Sequence, residues 1–309
     1  MQTITAKKGM RYLIAGIGLL ASSAALPFTI DFDFSYDSNG FFSDPTRRAV
    51  LSAAGGYFES IIQDDLAAIT SGGGNQFDVN FQSPGDGSSV TLTGYSVAAD
   101  TIKVFVGGRS LGGSTLGFGG PGGYNVSGTT AFIDLVERRG ETEQTLGANA
   151  TDFAPWGGSI TFDSDSAWYF DTDISTTESF SGNDFYSVAL HELGHVLGIG
   201  TADSWYHWID GNGDFAGPVS QALFIRPVPL TATGSHWADG VTGTVDGNSQ
   251  EAAMTPAILQ GTRKVFTDLD NAGLADVGWE VSAVPLPAAV WLFGAGLLGM
   301  AGFARKSRV

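Results

Sequence analysis

The chain has 309 residues, 43% of them hydrophobic and 15% charged, which is enough apolar material for a real core and too much for a disordered protein. Thirty-two acids against 15 bases give a formal net charge of −17; such a surface repels phosphate backbones and anionic membranes, so nucleic acid is excluded as a natural partner. No cysteine occurs, which removes disulfides, thiolate metal sites and cysteine nucleophiles and leaves any metal chemistry to histidine and carboxylate.

Lys7, Lys8 and Arg11 precede an apolar run from Tyr12 to Leu20 and small residues at 21–25. This order predicts a secretory signal peptide over residues 1–25, cut near Ala24 or Ala25. The alternative is an uncleaved anchor, although the run falls short of the roughly 20 residues that span a bilayer. Over residues 46–69, Ala49, Val50, Ala53, Tyr57, Phe58, Ile61, Ile62, Leu66 and Ile69 fall on one stripe, which predicts a long amphipathic helix. After the glycines at 72–74, the segments FDVNF, VTLTGYSV and TIKVFVGG alternate with a period of two and are rich in β-branched residues, the pattern of strands. Residues 107–128 are Gly-rich but lack the Gly-Lys-Ser/Thr ending of a phosphate cradle, and read as a loop.

A short strand is expected at residues 159–162, followed by an acidic turn with Asp163, Asp165, Asp171 and Asp173. These acids are either solvated or oxygen donors for Ca2+. Asp210, Asn212 and Asp214 begin like a calcium loop, but Phe215 stands where the turn glycine belongs and Gln221 where the bidentate glutamate belongs. No period of 20 to 50 residues recurs, which argues against a repeat architecture.

The chemistry concentrates in SVALHELGHVLGIGTADSW, residues 187–205. A helix capped by Asn183 or Asp184 and running to about Leu197 buries Phe185, Val188, Ala189, Val196 and Leu197, and Gly198 takes the left-handed turn that ends it. His191 and His195 are four residues apart and share a face, with Glu192 one position round. That is the spacing of two zinc-binding imidazoles with a carboxylate beside the metal's water; the bland alternative is two histidines on an ordinary helix. Catalytic zinc takes three protein ligands. Where the motif continues x-x-Gly-x-x-His, Gly198 is present but Thr201 replaces the third histidine. The remaining donors are His207 among aromatics, His236 lying 41 residues beyond His195, and the carboxylates of Asp203 and Glu251. A loop of that length is cheap to close, because the entropy cost grows only logarithmically. With only four histidines in the chain, few remain to serve a serine nucleophile.

At the C-terminal end, residues 288–304 carry no charge and Arg305, Lys306 and Arg308 follow, long enough to span a membrane with the positive flank in the cytoplasm. Residues 284–309 resemble the PEP-CTERM sorting signal of Gram-negative bacteria, with Leu286 in place of its glutamate. That resemblance implies processing by an exosortase-type enzyme and delivery to the cell surface or extracellular matrix; a plain transmembrane anchor is the alternative, and either way the membrane is met only through this segment.

Over residues 184–281 the chain resembles the metzincin zinc proteases, and the leishmanolysin-like branch in particular. The likeness lies in His191, Glu192, His195 and Gly198, then, after an insertion, Gly234, Ser235, His236 and Trp237, then Met254 within EAAMTP, and an Asp-x-Gly-aromatic ending at Asp276 to Trp279. It implies an α+β fold: an N-terminal catalytic lobe (26–198) with a twisted mixed sheet and two long helices, a smaller and mostly irregular C-terminal lobe (199–283), and an active-site cleft between them. It also implies zinc on His191, His195 and His236, Glu192 as catalytic general base, Met254 as a hydrophobic floor in a methionine turn, and strand 159–162 as the edge to which a peptide substrate adds. The chain departs from leishmanolysin itself in lacking its cysteines, and no tyrosine closely follows Met254. The resulting expectation is a secreted or surface-associated zinc endopeptidase acting on proteins or peptides, with a non-catalytic matrix or surface protein stabilised by zinc as the alternative.

Overall fold

The structure, a computed structural model, describes residues 27–282 apart from Thr172 and Thr177. The signal-like start and the apolar tail lie outside the described residues. Among the described residues no helix is long and apolar enough to cross a membrane. The first half of the chain forms β1 (Thr29–Asp33), α1 (Pro45–Ile61), β2 (Ile69–Thr70), β3 (Gln76–Gln82), β4 (Ser89–Leu92), β5 (Ser96–Val97) and β6 (Thr101–Arg109), then β7 (Gly117–Pro121), β8 (Gly123–Ser127), α2 (Thr130–Arg138) and β9 (Gly157–Asp163). The short pair β10 (Trp168–Tyr169) and β11 (Asn183–Asp184) leads into α3 (Phe185–Val196). Beyond it lie α4 (Asp203–His207), α5 (Pro218–Phe224), the hairpin β12 (Thr242–Val245) and β13 (Asn248–Glu251), and α6 (Asp268–Val277). Helices and mixed sheets of this kind make an α+β architecture.

The main sheet runs β1-β6-β9-β7, with the first three strands parallel and β7 antiparallel to β9. Strand β6 is buried on both faces, as expected of a parallel strand covered on two sides. Ile102, Val104 and Val106, with Ile160 and Phe162 of β9, share one core with α1 and α3. Phe105 points the other way and stacks on Phe81 at 4.1 Å in a second cluster, where Phe77 and Val79 of β3 meet Phe132 and Val136 of α2. The period of two along β6 thus sorts its side chains between a helical layer and a layer made of the sheet β4-β3-β8 and α2.

Helix α1 begins where Asp44 accepts the Thr46 amide and Pro45 fills the first turn, both favoured at a helix start. It ends at Ile61 instead of running on to residue 69 as the apolar stripe predicts. Ile62 is extended and pairs with Val281, and the Gln63 amide donates to Glu280 O at 2.9 Å. The C-terminal segment thus takes the backbone groups a longer helix would use. Leu66 and Ile69 are still buried, but from extended chain, a situation that helical spacing alone cannot distinguish.

Two other expectations need correction. The segment 90–97 is two strands broken at Gly94, whose φ of 63° suits a turn. The Gly-rich stretch 107–128, expected as loop, contains β7 and β8. Helix α2 was not anticipated; Thr129 caps it by accepting the Phe132 amide, and Arg139 follows in the left-handed region at φ 49°. The buried guanidinium of Arg139 donates to the carbonyls of Ala67, Ala98, Thr101 and Pro155, tying four segments together.

The C-terminal half is mostly irregular and is organised by aromatic packing and one carboxylate. Trp205, Phe215 and Trp237 form a buried cluster, with the first two stacked at 4.0 Å. Asp270, in the capping box of α6, accepts the amides of Ala253 and Met254 and the indole N–H of Trp237. That one side chain therefore ties together the chain around residue 237 and the turn at 253–254, both of which the site requires.

Candidate active site

Helix α3 is capped by Asp184, whose carboxylate accepts the Ser187 amide and hydroxyl. Arg263 grips the same carboxylate with a two-pronged contact at 2.9 and 3.0 Å and reaches Asp171 at 2.7 Å, the planar fork geometry that makes such pairs strong. Every residue of α3 except His191 is buried, so its polar side chains are held in apolar surroundings. After Leu197 the chain turns at Gly198, where φ is 104° and a Cβ would lie 2.7 Å from Val277. This turn brings Ile199 O to 2.8 Å from His195 Nδ1. Thr201, at the position of the missing third histidine, donates its hydroxyl to His195 O at 2.6 Å and so ties down the helix end.

The third imidazole at the site is His236. The Nε2 atoms of His191, His195 and His236 lie 3.1, 3.0 and 3.2 Å from one another. Each Nδ1 has its own partner: Ala253 O for His191 at 2.8 Å, Ile199 O for His195 at 2.8 Å, and Ser235 Oγ for His236 at 3.0 Å. With the Nδ1 protons donated outward, three Nε2 lone pairs face one another, an arrangement that a cation resolves. A tetrahedral zinc with bonds of about 2.0–2.1 Å places its nitrogens about 3.3 Å apart, so this donor set fits zinc. Burial, reinforced by the neighbouring imidazole, holds His191 well below the usual histidine range and His195 down at about 4; burial also lowers His236. All three are therefore neutral donors near pH 7. Among the described residues they are the one group of three or more histidines or acids with ligand atoms mutually within 4.8 Å.

The other candidate ligands are engaged elsewhere. His207 bonds to Ala148 O, Asp203 accepts the Gly147 amide, and Glu251 pairs with Lys264 at 2.7 Å. Met254 is fully buried beneath the helix, so close that a Cβ on Gly194 would stand 2.6 Å from its sulfur. The calcium candidates do not gather into a site. Asp163 accepts from Leu111 and Ser166, Asp165 from Ser110, Asp171 from Arg263 and the amide of Asp173, and Asp173 from Ser175. Asp210 closes on its own loop through the amides of Asn212 and Asp214. Gly108 to Gly112 has Gly-x-Ser-x-Gly spacing, but Ser110 donates to Asp165 and the partners of all four histidines lie elsewhere; a nucleophile elbow also needs a strand-to-helix turn, which is absent at this position.

The substrate-edge expectation also changes. Strand 159–162 lies within β9, which is paired on both sides, to β6 and to β7. The free edge next to α3 belongs to β7, from the stretch expected as loop. Asp163 N donates to Leu116 O and Gly122 N to Gly157 O, both at 2.9 Å. The antiparallel alternation then turns the backbone groups of Gly117 and Gly119 outward. Glycine is required here because β7 lies directly on the helix. A Cβ at 117 would stand 2.5 Å from Glu192 Oε1, and one at 119 would stand 2.6 Å from Glu192 O. Glycines invite a loop reading, so the signal available in the sequence was only Leu116 and Phe118 alternating with small residues. Ser235, the partner of His236, was likewise not singled out as a site residue.

Glu192 lies under β7, and burial pushes its carboxyl up to about 8, opposed by the backbone amide of Gly119. Nearby metal charge acts in the opposite direction and favours the ionised form. The cleft has a volume of about 530 Å³; residues 114–119 form one wall and residues 255–258 the other, with His191, Glu192, His195 and His236 between them. Lys264 secures the second wall, with Nζ 2.8 Å from Thr255 Oγ1 and 2.6 Å from Ala257 O.

Comparison with known proteins finds two likenesses. The matrixin peptidase family matches residues 135–205, a stretch that holds His191, Glu192 and His195 and stops short of His236. Metalloendoproteinase 1 of Glycine max is 44% identical over 48 residues, which is 16% of this chain and 16% of that protein. No solved structure matches. These likenesses support a zinc metalloprotease of metzincin type.

Proposed function

We propose that the chain is a zinc-dependent endopeptidase that cleaves extended protein or peptide substrates laid along the free edge of β7. One observation carries this reading above the others: three imidazole Nε2 atoms converge within 3.2 Å beside the carboxylate-bearing face of α3. His191, His195 and His236 would hold the metal. Bound there, zinc supplies Lewis acidity toward the substrate carbonyl and acidifies water. The outward backbone groups of Gly117 and the carbonyl of Gly119 pair with the substrate as an added strand. Glu192, shielded from solvent by β7, takes a proton from the attacking water and passes it to the leaving amine. Met254 supports the histidine helix from below.

We place the chain nearest the leishmanolysin-like branch because Thr201 occupies the usual third-ligand position and His236 comes only after a long insertion. The secretory signal over residues 1–25 and the sorting-signal resemblance over 284–309 further suggest an exported protein handled by an exosortase-type enzyme.

The test is hydrolysis of casein by the purified chain. Activity is expected to vanish on chelation and return with added zinc but not with added calcium; no zinc-dependent cleavage at any chain concentration would overturn the reading. Gly117→Ala checks the role of the strand. The added methyl displaces the Glu192 carboxylate, and a misplacement near 1 Å can cost about 100-fold in rate. Turnover is expected to drop between about tenfold and 100-fold, with zinc content unchanged.

A further inference from the structure

A buried cation borders the cleft, and proton transfer by Glu192 gives it no part. Among the described residues that line the cleft, Lys264 is the only lysine or arginine and Glu192 the only acid. The Lys264 amide donates to Ser187 Oγ at the start of α3, and its ammonium reaches Thr255 and Ala257, so this residue bridges the histidine helix and the second wall. Ala253, two residues before Thr255, is bonded through its carbonyl to His191 Nδ1. This part of the wall therefore lies next to the histidine centre.

The ammonium has three protons to donate and three acceptors around it: Thr255 Oγ1 at 2.8 Å, Ala257 O at 2.6 Å and Glu251 Oε2 at 2.7 Å. Only Glu251 brings a negative charge. Lys264 is 5% exposed, and an ammonium so buried is costly without a counter-ion. Glu251 reaches it from the solvent side: it ends β13, its side chain is 37% exposed, and its other oxygen accepts the Gly240 amide at 3.0 Å.

We propose that Glu251 sets the charge preference of the substrate cleft: by neutralising Lys264 it makes the part lined by Val188 and Ile258 select uncharged substrate side chains. The inference rests on the endopeptidase reading. With Glu251 in place, an incoming substrate carboxylate meets an ammonium whose protons are all taken and a second carboxylate beside it. Like charges brought together in this way disfavour acidic substrates. Without Glu251, the ammonium keeps two neutral acceptors and one free proton, and a substrate carboxylate becomes the available counter-ion. The cleft then selects acidic side chains.

Peptides built on a casein site that wild type cleaves, with Gln or Glu placed in turn at each residue flanking the cut bond, test this. Glu and Gln match in size, so a wall that merely loosens treats them alike. Wild type is expected to favour Gln. In Glu251→Gln the Glu-to-Gln ratio of kcat/KM should rise at one position by about 10- to 100-fold, the range of a hydrogen bond to a charged group, with zinc per chain unchanged. Glu251→Ala should show the same rise without a side-chain amide beside the ammonium. Adding Lys264→Met to Glu251→Ala removes the cation and should abolish it. An unchanged ratio in both single variants, or a rise that survives loss of Lys264, overturns this inference and leaves the protease reading standing. Failure of wild type to cleave casein overturns both.

Discussion

Replacing Glu192 with alanine is expected to lower kcat/KM for casein-derived peptides by about 10²- to 10⁴-fold, the range of general acid–base catalysis, while one zinc per chain remains. The carboxylate belongs to the histidine helix but is not among the converging ligands: the mutual Nε2 contacts involve only the imidazoles. Its removal therefore leaves the metal-holding group intact and takes away only the proton acceptor. The effect should fall mainly on kcat, because a proton transfer made in the transition state contributes little to ground-state binding. Glu192→Gln should behave in the same way, since it keeps the volume beside Gly117 and loses the base. A matrix protein stabilised by zinc makes the opposite prediction, with wild type no faster than the variant.

The second large effect concerns the distant ligand. His236→Ala is expected to lose zinc, and activity with it, whereas His207→Ala keeps both. His236 Nε2 completes the triangle and its Nδ1 is oriented by Ser235, so the variant leaves two imidazoles from one helix, fewer than the three ligands of a catalytic site. His207 is half-buried and bonded to Ala148 O. Because Trp237 binds Asp270, and Asp270 in turn holds the amides of Ala253 and Met254, the chain at residue 236 should keep its course in the variant. Loss of zinc with an unchanged thermal melt of the metal-free protein would separate ligand removal from unfolding.

Much of the active-site helix was legible in the sequence because its determinants are local. Asp184 as cap, two histidines a helical turn apart and a glycine at the helix end all act within a few residues. His236 was not legible from spacing alone. His207, Asp203 and Glu251 stayed open as alternatives until the resemblance singled out residue 236, since the contacts that place it, from Trp237 to Asp270 and from Trp205 to Gly234 O, are all long-range. Strand β7 was missed for a different reason: glycine carries no apolar alternation, and its role here is close approach to Glu192. Helix α1 was drawn too long because Leu66 and Ile69 continue its stripe, while pairing of Ile62 with Val281, far away in sequence, decides where it stops. Strand β6, buried on both faces, and β3, alternating between core and solvent, matched their patterns because burial follows the pleat directly.

The most direct measurement is an anomalous difference map, collected at the zinc edge, from crystals of the zinc-loaded chain. A single strong peak bonded to Nε2 of His191, His195 and His236, with the Glu192 carboxylate beside it and unbonded, is the predicted result. A peak held by other residues, a His236 ring turned away from it, or no peak in crystals of zinc-saturated protein would contradict the account.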